Sequence, residues 1–254
     1  MQPIEISLIA FAGIFGGTLL GMVLRKLLPE HHLSSDSKDV MKLGIGTIAT
    51  LSALVLALLI GSAKGTFDSI NSGLRQTGAR IISLDQTMAR YGPETKEARE
   101  VLRRVLTATI ERIWPAERAV VDVEKAGQSG RGVEYLSEKI VQLTPHSDYQ
   151  RQLQLRALEI LGETAESNWL LVEHIGQRSF PMPLLVLLVC WLIIIFFSFG
   201  LFSSPNKTVI AVLFVCALAA ASSLFLILEL DQPFGGLIRV SSAPLLNALA
   251  HIGQ

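Results

Sequence analysis

Charge is scarce in this chain. Only 17% of its 254 residues are Asp, Glu, Lys or Arg, and 22 basic side chains cancel 22 acidic ones. With no basic field there is no electrostatic footprint for nucleic acid, and with no acidic tail there is none for a basic partner. Cysteine is nearly absent. Cys190 and Cys216 both lie in apolar runs, where they read as small buried hydrophobes and not as a disulfide framework or a metal site. The nucleophile elbow, the phosphate-binding loop and the paired-histidine zinc signature are missing as well. His31 and His32 have no second ligand pair at metal-site spacing. The glycine-rich stretch 127–132 follows a helical pattern instead of a strand, which disfavours a phosphate cradle. No catalytic residue, metal ligand or cofactor is assigned, and the chain reads as a non-enzyme.

What is present is apolar. Half the residues are hydrophobic, and they concentrate in four charge-free stretches: 6–24, 43–63, 179–206 (spanning part 183–202) and 208–228. Crossing roughly 30 Å of hydrocarbon takes about 20 helical residues, so each is a transmembrane helix and the lipid bilayer is the first partner. No Lys or Arg precedes the first run, and Arg25-Lys26-Leu27-Leu28-Pro29 follows it, so it is expected to stay as a span and not to be cleaved. The fold class is all-α, a polytopic membrane protein with four transmembrane helices. Residues 1–63 hold the first two spans, 64–180 a helical extramembrane domain, and 181–230 the last two. Residues 231–254 form a tail whose Leu245, Leu246, Leu249 and Ile252 share one side, as in a short helix lying in the membrane surface.

The spans differ in character. Gly13, Gly17 and Gly21 make a smooth stripe on the first. Ala49, Ala53 and Ala57, leading to Gly61, make one on the second. Small residues mark contact faces between lipid-embedded helices, because close backbone packing there replaces hydrophobic drive. These two spans are expected to pack tightly, with each other or with a neighbouring subunit. The third span, bulky almost all round, reads as lipid-facing; the fourth, with its small cluster 217–223, reads as intermediate. No span centre carries an ionisable residue, which disfavours pumps, coupled transporters and voltage sensors. Passive channels and structural assemblies remain.

Between spans two and three, Phe67, Ile70, Leu74, Thr77, Ile81, Leu84, Met88 and Tyr91 recur at alternating spacings of three and four, a heptad seam. Gly92-Pro93 ends that helix. A second helix from Glu94 buries Ala98, Leu102, Val105, Leu106, Thr109 and Ile113, with acids in its first turns, until Pro115 breaks it. A short helix over 133–143 follows. Thr144-Pro145 then caps a last helix, with Leu155, Leu158, Gly162, Ala165, Trp169 and Val172 on one face. The helices at either end of the domain are expected to run on into spans two and three.

Two segments go beyond pattern. Gly73-Leu-Arg-Gln-Thr-Gly-Ala-Arg-Ile-Ile-Ser-Leu-Asp-Gln-Thr-Met-Ala-Arg-Tyr-Gly-Pro-Glu94 and Glu229-Leu-Asp-Gln-Pro-Phe-Gly-Gly-Leu-Ile-Arg-Val-Ser-Ser-Ala-Pro244 resemble the bestrophin-like family of bacterial membrane proteins. The two-plus-two arrangement of spans matches along the whole chain. More distantly, the chain is similar to true bestrophins, pentameric anion channels whose axial pore is lined by the second span and by helices of the cytosolic domain. That likeness implies a homopentamer, chloride or another small anion as permeant partner, an inner-membrane location, and both termini and the domain in the cytoplasm. The chain departs from them in residues 54–60, which carry no aromatic ring, and after that span, where only Lys64-Gly-Thr-Phe-Asp68 stands in place of a tryptophan-rich run.

A pore face on the second span would comprise Thr47, Thr50, Leu54, Leu58 and Gly61, hydroxyls at one end and an apolar girdle at the other that closes by dewetting. The alternative is that Thr47 and Thr50 merely bond backbone carbonyls within the bundle. Past the last span, Glu229 and Asp231 with Arg239 suggest an ion pair fixing the tail, or else a charged ring at a pore mouth. Loop charges leave orientation undecided. The leading function is a homo-oligomeric passive channel for small anions. A non-conducting membrane scaffold whose helical domain binds a protein is the alternative, and a membrane enzyme with an unrecognised site is the remotest.

Overall fold

The computed structural model describes residues 2–27, 35–114, 129–176, 182–203 and 206–253. Eight helices occur among them: α1 (Pro3–Leu27), α2 (Ser35–Tyr91), α3 (Lys96–Ile113), α4 (Ser129–Val141), α5 (Asp148–Gly176), α6 (Met182–Phe202), α7 (Lys207–Leu230) and α8 (Ala243–His251), with a 3-10 turn at Pro93–Thr95. No strand is present among the described residues. Helices α1, α2, α6 and α7 are long and apolar enough to cross a membrane. At 1.5 Å per residue the 57 residues of α2 extend about 85 Å, so a single helix carries both the second span and the heptad seam. His31, His32, Pro115, Pro181 and residues 127 and 128 lie outside the described residues, and 129–132, expected as a turn, open α4.

The chain forms two compact units: Met1–Phe67 with Arg178–Ile238, and Asp68–Gln177 with Arg239–Gln254. In the first, α1 packs against α6 and α7. Gly13 and Gly17 lie on Ile193 of α6, and Gly21 lies on the α6 backbone itself: a Cβ there would run into the Phe197 carbonyl oxygen and stand 2.9 Å from Leu201 N. The approach is reciprocal, because a Cβ on Gly200 of α6 would strike the backbone of Thr18 and stand 3.2 Å from Met22 N. The glycine stripe of the first span therefore meets the third span. This corrects the expectation that the third span is simply lipid-facing. Leu185, Leu188, Ile195, Phe196 and Gly200 are buried, while Val186, Leu187, Ile194 and Phe199 stay exposed. An evenly apolar helix gives no sign of which side packs, since lipid tails are as apolar as the core. Phe214 of α7 sits edge-on to Phe11 and Phe15 of α1, with centroids 5.4 and 5.3 Å away. Cys190 and Cys216, expected to be buried, are exposed on α6 and α7.

In the second unit every seam residue of α2 from Ile70 to Tyr91 is buried. Gly92, with φ 138°, turns the chain, and the Thr95 hydroxyl reaches back to the carbonyls of Met88 (2.6 Å) and Gly92 (2.8 Å). Arg99 of α3 forks onto Asp85 of α2 with two 2.8 Å bonds, a bond that raises the guanidinium's affinity for its proton. On the unit's surface Lys139 of α4 bonds Glu97 of α3 at 2.8 Å, which holds that carboxyl below its usual range. The cap of α5 lies three residues beyond the expected Thr144: the Ser147 hydroxyl accepts from Gln150 N (3.1 Å), and the Gln150 side chain accepts from His146 N. Among its described side chains Ala157, Ile160 and Leu161 are buried; of the expected face Leu158 and Ala165 are half-buried, Leu155 is 62% exposed, and the side chains of Trp169 and Val172 lie outside the described residues.

The tail departs from a membrane-surface helix. It divides at Ile238, and Leu245, Ala248 and Ile252 of its α8 region are buried in the second unit, where α8 packs on α3. Trp114 donates its indole N–H to Val240 O at 2.9 Å, and Gly78 admits the Pro244 carbonyl so closely that a side chain there would collide with it.

Gly21→Ala is expected to destabilise the protein by about 1–3 kcal/mol, the usual cost of overpacking, read as a lower thermal midpoint in detergent. Gly16→Ala, whose Cβ would meet nothing within 4 Å, should leave the midpoint unchanged.

Candidate functional site

The site begins with the two faces of α2 in the first unit. Ser52, Leu59 and Ala63 are buried, and Ile45, Ile48, Ala49, Val55, Leu56 and Ile60 pack on the same core. At 100° per residue, Thr47, Thr50, Leu54, Leu58 and Gly61 fall within roughly 80° of arc on the opposite side. All five are exposed, Leu54 at 63% and Leu58 at 67%, and a Cβ on Gly61 would meet nothing within 4 Å. The stretch 43–63 carries no charge; Lys42 and Lys64 bracket it.

Thr47 donates its hydroxyl to Leu43 O (3.0 Å) and Thr50 to Gly46 O (2.9 Å). The bland reading of these hydroxyls is therefore true as far as it goes, yet neither is buried by the bundle. Hydroxyls bonded in this way keep their lone pairs outward, and they offer a proton to a ligand only by rotating off the carbonyl, at a cost of about 1 kcal/mol. Of the alanine stripe, Ala49 is half-buried against the core, whereas Ala53 and Ala57 are exposed. They run beside the Thr47–Gly61 face.

The third group of candidate residues lies past α7. Glu229 is buried, and its carboxylate accepts from the backbone N–H groups of Leu237 and Ile238, the latter at 3.2 Å. Gly235 and Gly236 turn the chain back onto it, and a Cβ on Gly236 would occupy the carboxylate's place. Glu229 is thus held by the main chain, and Asp231 caps α7 through its own N–H to Ile227 O, 3.2 Å. Among the described residues no group of three or more His, Cys, Asp or Glu could hold a metal ion.

The bestrophin-like domain matches residues 12–245. The chain belongs to the bestrophin-like family. No curated protein matches the sequence. Among solved structures, this bestrophin-like chain is similar to single-substitution variants of a bacterial bestrophin homologue from Klebsiella pneumoniae. One has a TM-score of 0.67 at 12% identity, covering 94% of this chain and 96% of the other. A second has 0.62 at 13%, covering 100% and 99%. At such identities the likeness is one of fold.

Sequence reasoning missed Gly200. It is the only glycine in the third span, and that singularity was its signal. It also missed the Gly236–Glu229 pairing, which links residues seven apart across a turn and leaves no periodic trace. Gly236→Ala is expected to push the carboxylate off the Leu237 and Ile238 N–H groups and to lower the thermal midpoint in detergent. Gly235→Ala, with only Gln232 Oε1 at 3.9 Å from its Cβ, is the tolerated control.

Proposed function

We propose that this bestrophin-like protein is a homo-oligomeric, passive channel for small anions, with the Thr47–Gly61 face of α2 turned toward the axis between copies. One observation carries the reading: α2 buries one side in its own bundle and leaves the side with two hydroxyls and two leucines uncovered. In a ring, Ala53 and Ala57 lie against the neighbouring α2, where small side chains allow close approach, and the five-residue face lines the pore. A pentamer is the assembly implied by the family. Chloride is the simplest permeant.

Entry is at the Thr47–Thr50 end, where the hydroxyls offset part of an anion's hydration. Leu54 and Leu58 form an apolar collar that stops conduction by shedding water. The units fall to opposite roles: residues 1–67 and 178–238 in the bacterial inner membrane, the second unit in the cytoplasm. A non-conducting scaffold is the second reading, favoured by the exposed Leu155 and Tyr149 on α5, which suit a protein partner.

The test is anion flux from liposomes holding the purified protein. Leu58→Thr, which wets the collar, is expected to raise chloride flux several-fold over wild type. If neither protein exceeds empty vesicles in any salt, conduction is refuted and the scaffold stands.

A further inference from the structure

The first unit holds a second feature that the channel reading does not use. Where α2 enters its apolar stretch, a groove of about 700 Å³ opens between α2, α6 and α7, a volume within the range of ligand pockets. Ile45, Ala49, Phe202 and Val212 wall it, and it runs inward about 10 Å, the rise of the seven residues from Lys42 to Ala49. Lys42, Ser203 and Thr208 line it too, each at the point where an apolar run begins or ends. A groove that is apolar inside a bilayer and basic at its mouth matches a molecule with a hydrocarbon tail and an anionic head.

We propose that this groove seats one acyl chain of a membrane phospholipid, with the phosphate at Lys42 and the first turn of α7. The charges favour that placement. Lys42 supplies a full positive charge, and the N-terminus of the 24-residue α7 adds the partial charge of its first N–H groups. Asn206 accepts from Thr208 N at 3.2 Å and so fixes that turn, and Lys207 follows it in sequence. Among the described residues Asp39 opposes them, holding Lys42 at 3.2 Å. Both partners of this pair are about two-thirds exposed, and such surface pairs contribute little, so a phosphate displaces Asp39 without significant penalty. The interior is accessible as well, for a Cβ on Gly46 would meet nothing within 4 Å.

Native mass spectrometry of the delipidated full-length protein in mild detergent reads lipid and assembly together. With dioleoylphosphatidylglycerol added, one retained lipid per chain is expected; dioleoylglycerol, with the same tails and no phosphate, is not retained. Lys42→Gln should lower phospholipid retention roughly fivefold, the worth of one basic residue at a membrane surface. Gly46→Leu, which fills the groove, should abolish retention with the oligomer intact. Equal retention of the two lipids, or unchanged retention in Lys42→Gln, would overturn the phosphate placement. A Gly46→Leu protein that keeps its lipid but changes its oligomeric state would overturn the proposal outright, because the groove would then be the seat of a neighbouring copy. Flux plays no part in these readouts, so failure here is distinguishable from failure of the channel.

Discussion

Helices dissolved in lipid gain little by hiding apolar side chains from one another, so the closeness of their backbones decides which of them associate. In this protein that constraint is concentrated at the α1–α6 crossing. Gly21 faces the backbone around Phe197, and Gly200 faces that of Thr18 and Met22, so neither helix has room for a side chain where the other passes. The rest of the first unit is arranged around that contact: α7 packs on α1 through Phe214, and α2 places Leu59 and Ala63 in the same core. With α1, α6 and α7 engaged with one another, the far side of α2 is left uncovered.

The two halves of α2 obey different rules. Residues 43–63 are uncharged, and their burial is decided by van der Waals fit. From Ile70 onward the helix carries a heptad seam, and there burial follows the ordinary hydrophobic pattern, with Asp85 as the one carboxylate on the buried side. Arg99 meets it with two bonds, and removing either partner would strand a charge in a site largely shut off from water. One continuous helix thus carries both patterns, a result that follows from the absence of any proline between Leu43 and Tyr91.

How much of this was legible in the sequence follows from the same physics. The four spans, the seam and the Gly92 stop were readable because uncharged length, period and a left-handed glycine each leave a mark in the residue order. The Gly13–Gly21 stripe was readable as a contact face, but not its partner, since α6 is apolar on every side and shows no preferred direction. On α5 the outward turn of Leu155 was not legible, because Leu155 is as apolar as the Ile160 and Leu161 that the fold buries. Hydrophobicity cannot rank equally apolar positions on one helix. The tail was misread for a related reason: an amphipathic helix of nine residues fits a membrane surface and a protein groove equally well. The Thr47–Gly61 face was legible as a face; what it points at is a property of the assembly.

Disulfide trapping at Leu54 tests the central claim most directly. In a background with Cys190 and Cys216 replaced by serine, the Leu54→Cys variant is oxidised in intact membranes and run without reductant. If the uncovered side of α2 surrounds an axis, the introduced thiols of adjacent copies meet and the chain migrates as a dimer. A chain that stays monomeric, with its introduced thiol modified by a lipid-soluble maleimide, would put that side against the bilayer and contradict the account.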